Sequence, residues 1–224
     1  MKSFTSAAFE HVTPTLTLPD GAITRIDDLF CGSLNSLRFQ PGQSIVVQGD
    51  KIEHLYQVVA GTVRCCSFTE EGRRQIFRFA RAGDVLGFVD PERWHFSAEA
   101  VDCVVARSIP IARLEAALEQ HSELRRDLRA YVARVLAERE RQLSVLAFEP
   151  AAQRLLWFLK DFAKGRCGDG YLSLPMTRQE IGDFLGLSLE TVSRSFSTLR
   201  QSGMIEMKGT DRFRVVEGRA ALAA

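Results

Sequence analysis

The sequence lacks any run near the roughly 18 uncharged apolar residues a membrane span needs, so no transmembrane helix is expected. It also lacks a surplus of charge: 29 Lys and Arg face 28 Asp and Glu among 224 residues. With a net charge of +1, nucleic-acid binding must rest on a local arrangement rather than on bulk charge. The five cysteines (Cys31, Cys65, Cys66, Cys103 and Cys167) contain no C-x-x-C pair, which argues against zinc ribbons and thiol redox motifs. Free thiols in a reducing cytoplasm are expected instead. The four histidines show no H-x-H or H-x-x-x-H spacing, so no metal site is expected. Met1–Glu10 carries one Lys and no apolar core, unlike a secretory signal. No Gly-rich phosphate loop, paired-carboxylate frame or nucleophile motif is present, so no enzyme activity is expected.

Apolar residues make up 46% of the chain, enough to bury real cores in one large domain or two small ones. Residues 1–20 contain Pro14 and Pro19 and little periodicity, and read as a flexible arm. Residues 21–111 read as a β-roll. Short β-rich runs recur at Ser44–Gln48, His54–Ala60, Val63–Phe68, Gln75–Ala80 and Val101–Ile109. Glycines at 42, 49, 61, 72 and 83 fall at turn spacings, and Glu70-Glu71-Gly72 reads as a hairpin tip. Adjacent Cys65 and Cys66 should point to opposite faces of their strand.

The texture changes at Ile111, after which no Gly or Pro occurs through Leu146. Residues 112–147 read as one long helix. Leu128, Val132, Val135, Arg139, Gln142 and Leu146 step by 4, 3, 4, 3, 4. That seam, with Leu128, Val132, Val135 and Leu146 as its apolar members, suggests pairing with a second copy of the chain. The alternative is a helix packed on its own β-domain.

Residues 148–224 read as a winged helix-turn-helix. Ala151–Lys164 is amphipathic. Thr177 and Glu180 form a T-x-x-E capping box that starts a helix at Arg178. Gly186 ends it and Ser188 caps the next. Val192, Phe196 and Leu199 bury one side of that second helix, while Glu190, Ser193, Arg194 and Ser197 line the other. Arg forks onto guanine, Glu accepts from the cytosine amine and Ser serves either partner, so the polar side suits base edges in a major groove. Thr177, Arg178, Ser188, Thr191, Ser197, Arg200 and Lys208 are candidate supports on the DNA backbone. Met204–Met207 and Arg212–Val216 read as the wing. Residues 151–224 hold eleven basic and eight acidic side chains, a modest excess compatible with a few phosphate contacts. Cys167, in the loop beside these helices, is a candidate redox thiol.

A β-roll, a long helix and a winged helix-turn-helix in that order resemble the CRP/FNR superfamily of bacterial transcription regulators. The α+β fold class follows from that resemblance. Leu185-Gly-Leu-Ser-Leu-Glu-Thr-Val-Ser-Arg194 resembles the recognition helix of the FNR-like branch. There, E-x-x-S-R residues read TTGAT…ATCAA half-sites, so the resemblance assigns base reading to Glu190, Ser193 and Arg194. Phe39-x-Pro-Gly, Gly61-Thr-Val and Ala82-Gly-Asp-Val-Leu-Gly-Phe88 resemble the roll signatures.

Two departures matter. Phe96-Ser97-Ala98 replaces the Arg-Ser-Ala segment that binds a cyclic phosphate in relatives, and an apolar Phe cannot neutralise that anion. Cys31 alone stands where oxygen sensors carry a cysteine run for an iron–sulfur cluster. The resemblance is therefore to the FixK type, and Leu55-Tyr-Gln-Val-Val-x-Gly61 and Glu70-x-Gly-Arg-Arg-Gln75 strengthen it. It implies a homodimeric regulator, an activator, that works with double-stranded DNA and RNA polymerase and needs no cofactor. Alternatives are a haem- or small-molecule-gated regulator, a helix-turn-helix turned protein-interaction module, and a cupin-type enzyme, which would need metal-binding histidines in the roll.

Overall fold

A computed structural model describes residues 24–31, 36–68, 72, 74–88, 92–165 and 170–216. The arm at 1–20, most of the hairpin tip at 70–72, and Cys167 lie outside the described residues.

The roll is two four-stranded antiparallel sheets. One has the order β1 (Ser36–Phe39), β8 (Val104–Pro110), β3 (His54–Ala60), β6 (Val85–Leu86). The other has the order β2 (Ser44–Val46), β7 (Ser97–Ala100), β4 (Val63–Phe68), β5 (Arg74–Ala80). Of the run expected as one strand over 101–109, residues 101–103 form a bend and the remainder belongs to β8, while β7 precedes the run altogether. Asp102 lies in the bend between them, and its carboxylate accepts from Thr62 N at 2.7 Å. Side chains fill the roll. Trp94 and Phe96 meet edge-on at 5.4 Å, and Phe77 meets Phe96 edge-on at 5.5 Å.

Cys65 and Cys66 are both buried, yet in different cores. Cys65 faces the roll interior, whereas Cys66 faces the core that the C-terminal helices share with the roll. Alternation along β4 explains the split: one face of the sheet lines the roll and the other is covered by the C-terminal unit.

The single helix expected over 112–147 is two helices, α2 (Ile111–Gln120) and α3 (Ser122–Phe148), after a short α1 (Ile26–Phe30). The break is His121, held extended at φ −117° and ψ 102°. No Gly or Pro marks it. Leu114 and Ala117 before it and Leu124 after it enter one core with α1, so packing on the roll bends the chain there. The 27 residues of α3 span about 40 Å.

The expected seam needs a second correction. Leu128 and Tyr131 pack on the roll core, and Leu146 packs on the C-terminal core. Val135 is half-buried. Arg139 Nη1 and Gln142 Nε2 both donate to Phe77 O, at 2.7 and 3.3 Å. The 4-3-4-3 spacing therefore records packing against the chain's own domains along most of its length. The exposed apolar stripe is Val132, Leu136 and Leu143, at 45%, 57% and 67% exposure. It lies about 100° around the helix from the roll-facing side, and of the expected seam residues it contains Val132.

Candidate nucleic-acid interface

The C-terminal unit contains α4 (Ala151–Ala163), α5 (Arg178–Leu185), α6 (Leu189–Gln201) and a three-stranded sheet. The sheet order is β10 (Ile205–Lys208), β11 (Arg212–Val215), β9 (Leu172–Ser173). The two wing strands were legible in the sequence, whereas β9 was not: at two residues it carries no periodic signal.

Each helix end has a local cause. Thr177 Oγ1 accepts from Glu180 N at 3.2 Å, and Glu180 Oε2 accepts from Thr177 N at 2.7 Å. Two orphan donors of the first turn are thus satisfied reciprocally. Gly186 ends α5 in the left-handed region at φ +66°, where a Cβ would be strained. Ser188 Oγ accepts from Thr191 N at 3.2 Å and opens α6. Gly182 permits the close turn between the helices, because a Cβ there would lie 2.6 Å from Leu187 O. Sequence reading passed over it, since a mid-helix glycine is only a weak signal.

Val192, Phe196 and Leu199 anchor α6 in the core, while Glu190 and Arg194 are exposed and Ser193 is half-buried between them. The Glu190 carboxyl is held below the usual carboxylate range. Its own backbone N–H is the main cause, followed by the Ser188 hydroxyl, with Arg194 adding a smaller pull. Glu190 is thus an ionised acceptor standing beside a cation.

Several expected supporting residues have internal tasks. The hydroxyls of Thr177 and Ser188 serve as caps, and Ser188 and Thr191 oxygens lie 3.0 Å apart. Ser197 Oγ donates back to Ser193 O at 3.2 Å. The Arg178 guanidinium sits 4.9 Å over the Phe196 ring. Arg200 and Lys208 are exposed, on the last turn of α6 and at the end of β10.

Sequence reading missed two features here. Leu189 opens α6 at 42% exposure, next to Glu190, and its signal was an apolar residue off the buried stripe. The second is a clasp between roll and C-terminal unit. Arg64 pairs with Glu180, Arg74 Nη2 meets Asp183 Oδ2 at 2.9 Å, and Gln75 Nε2 donates to Asp183 O at 2.6 Å. Phe79 lies 5.5 Å from Phe184 and 5.9 Å from Phe158. Nothing local in the sequence pairs these residues.

Comparisons with known proteins agree on one family. Residues 174–205 match the family described as bacterial regulatory proteins, crp family, and residues 36–121 match the cyclic nucleotide-binding domain. The nitrogen fixation regulation protein FixK of Rhizobium meliloti is 32% identical over 170 residues, covering 76% of this chain and 77% of that protein. FixK of Azorhizobium caulinodans is 37% identical over 176 residues, covering 76% of this chain and 70% of that one. The solved structure of FixK2 from Bradyrhizobium japonicum superposes with a TM-score of 0.77 at 32% identity, covering 83% of this chain and 93% of that one. With a filled roll, a helix-turn-helix and these relatives together, the chain belongs to the CRP/FNR family of transcription regulators and is of the FixK type.

Proposed function

We propose that the protein is a homodimeric transcription activator that reads a TTGAT-N4-ATCAA-like palindrome in the cytoplasm and engages RNA polymerase as its family does. The observation that carries this reading is the outward face of α6. Glu190, Ser193 and Arg194 share it within the first half of the helix, the part that enters the major groove in this motif. Arg194 reads the guanine and Glu190 accepts from a cytosine amine. Leu189 supplies an apolar contact for a thymine methyl. Arg178, Arg200 and Lys208 contribute phosphate contacts, and the caps Thr177, Ser188 and Thr191 hold the reading helix in register.

Dimerisation uses Val132, Leu136 and Leu143, the exposed stripe of α3. Two copies are needed because half-sites about 34 Å apart must be held together. No helix among the described residues is long and apolar enough to cross a membrane.

DNA reading needs neither a cyclic nucleotide nor an iron–sulfur cluster. In support, Phe96 is 6% exposed within the roll core, so the residue standing in the phosphate-binding segment is an apolar wall. Burial pushes the Cys65 thiol up to about 12 and Cys66 up to about 11. Both are therefore protonated thiols, poorly suited to ligate a cluster as thiolates.

The test is titration of unmodified protein and Arg194→Ala against consensus and guanine-substituted duplexes. Arg194→Ala should lose about 1–3 kcal/mol per half-site on the consensus and relax preference at the guanine. Equal weakening on every duplex would make Arg194 a backbone contact and overturn the assignment.

A further inference from the structure

A cavity of about 130 Å³ lies where the roll, α3 and the C-terminal helices meet. Strand β5 supplies Arg78, α3 supplies Arg139 and Arg141, and α4 and α5 supply Trp157, Phe158 and Phe184. It is separate from the roll interior, because Phe96, Ser97 and Ala98 do not line it. Five cationic and three acidic side chains border it.

The ion pairs around it are unequal. Arg78 Nη2 meets Asp84 Oδ1 at 2.7 Å, and Asp161 takes both Arg81 and Lys164, at 3.6 and 2.7 Å. Arg139 has only neutral acceptors: its Nη1 donates to Phe77 O at 2.7 Å and to Gln142 Oε1 at 2.5 Å. No carboxylate among the described residues pairs with it. A guanidinium carries five donors, and one nitrogen does all of this bonding. Burial, first, and then the like charge of Arg78 disfavour the Arg139 cation and outweigh the weaker pull of Glu138 and Asp84. A half-buried cation in this position gains from an added anion more than a solvated one does.

The other wall is aromatic. Trp157 and Phe184 lie nearly parallel, 5° apart with centroids at 6.3 Å, and Phe158 meets Phe184 at 5.4 Å. The volume is close to the roughly 150 Å³ of a cavity that accepts benzene.

The geometry points to a binding site for a small aromatic carboxylate, its anion on Arg139 and its ring against Trp157, Phe158 and Phe184. Because its walls come from the roll, α3 and the C-terminal helices, an occupant fastens the DNA-reading unit to the roll.

The experiment uses the full chain without DNA, so its outcome is separate from that of base reading. Benzoate, benzamide and inorganic phosphate are titrated by calorimetry, with the Trp157 indole resonance followed by NMR. Benzoate should bind and shift that resonance, and benzamide should bind at least about tenfold more weakly, as expected for loss of a charge-assisted contact. Arg139→Gln, which keeps an amide donor for Phe77 O, should lose benzoate binding by a similar factor. If Arg139→Gln does not fold, the benzoate and benzamide comparison in the unaltered protein decides. No benzoate binding at millimolar concentration, equal binding of benzamide, or phosphate binding as tightly as benzoate would each overturn the proposal.

Discussion

Arg64 of the roll and Glu180 of the helix-turn-helix form an ion pair whose acidic partner also closes the capping box on Thr177. Glu180 is 8% and Arg64 17% exposed at the side chain, and Arg64 meets Glu99 at 2.7 Å with its other edge. One carboxylate thus caps the start of a helix and ties two units together. Arg64→Ala should leave Glu180 buried without its cation and destabilise the protein by about 3 kcal/mol. Urea unfolding checks this; an unchanged midpoint would show that the pair is solvated.

Replacing Leu136 and Leu143 together by Asp should convert a dimer into folded monomers. Both side chains are exposed in the single chain, so monomer stability should change little. Sedimentation velocity gives the mass and circular dichroism the fold. Val135→Asp should instead destabilise the single chain, since Val135 is half-buried. The reverse pattern would restore the seam through Val135.

Lys208→Ala should weaken binding to all duplexes alike and reduce the salt slope by about one for each half-site. Titrations at two salt concentrations, on specific and random duplexes, measure both quantities. A change in base preference would give Lys208 a groove contact.

Stability should fall on the alkaline side. The thiols of Cys65 and Cys66 ionise near their ordinary value of 9.0 once unfolded, but burial holds them up to about 12 and about 11 in the native state. The native state therefore keeps protons that the unfolded chain releases. This contribution is fully present below about pH 9 and is lost as pH rises toward the native values. Urea unfolding from about pH 8 to about pH 10 should show the decline, and Cys65→Val with Cys66→Val should flatten it.

Gly182→Ala should cost about 1–3 kcal/mol, because the added Cβ would press on Leu187 O in the turn between α5 and α6. The thermal midpoint reports it. An unchanged midpoint would mean that the turn relaxes freely.

The helix-turn-helix was legible residue by residue because its determinants are local. Thr177 and Glu180 cap within three positions, Gly186 supplies the left-handed turn, and Val192, Phe196 and Leu199 repeat on one helical stripe. Strands β3 and β4 were legible for the same reason: alternation and turn glycines lie within a few residues of each other. The sequence by itself thus determined the helices and the two wing strands of the reading unit, though not β9, and which side of α6 is polar. Only the tertiary structure decided three other matters: that His121 breaks the long helix, which face of α3 the roll covers, and that Arg64 and Arg74 clasp α5. A 4-3-4-3 repeat states that one stripe is buried but not against what, since a partner helix and the chain's own roll select the same spacing. That choice rests on contacts between residues more than sixty positions apart, such as Arg139 with Phe77 O, and no local pattern encodes them.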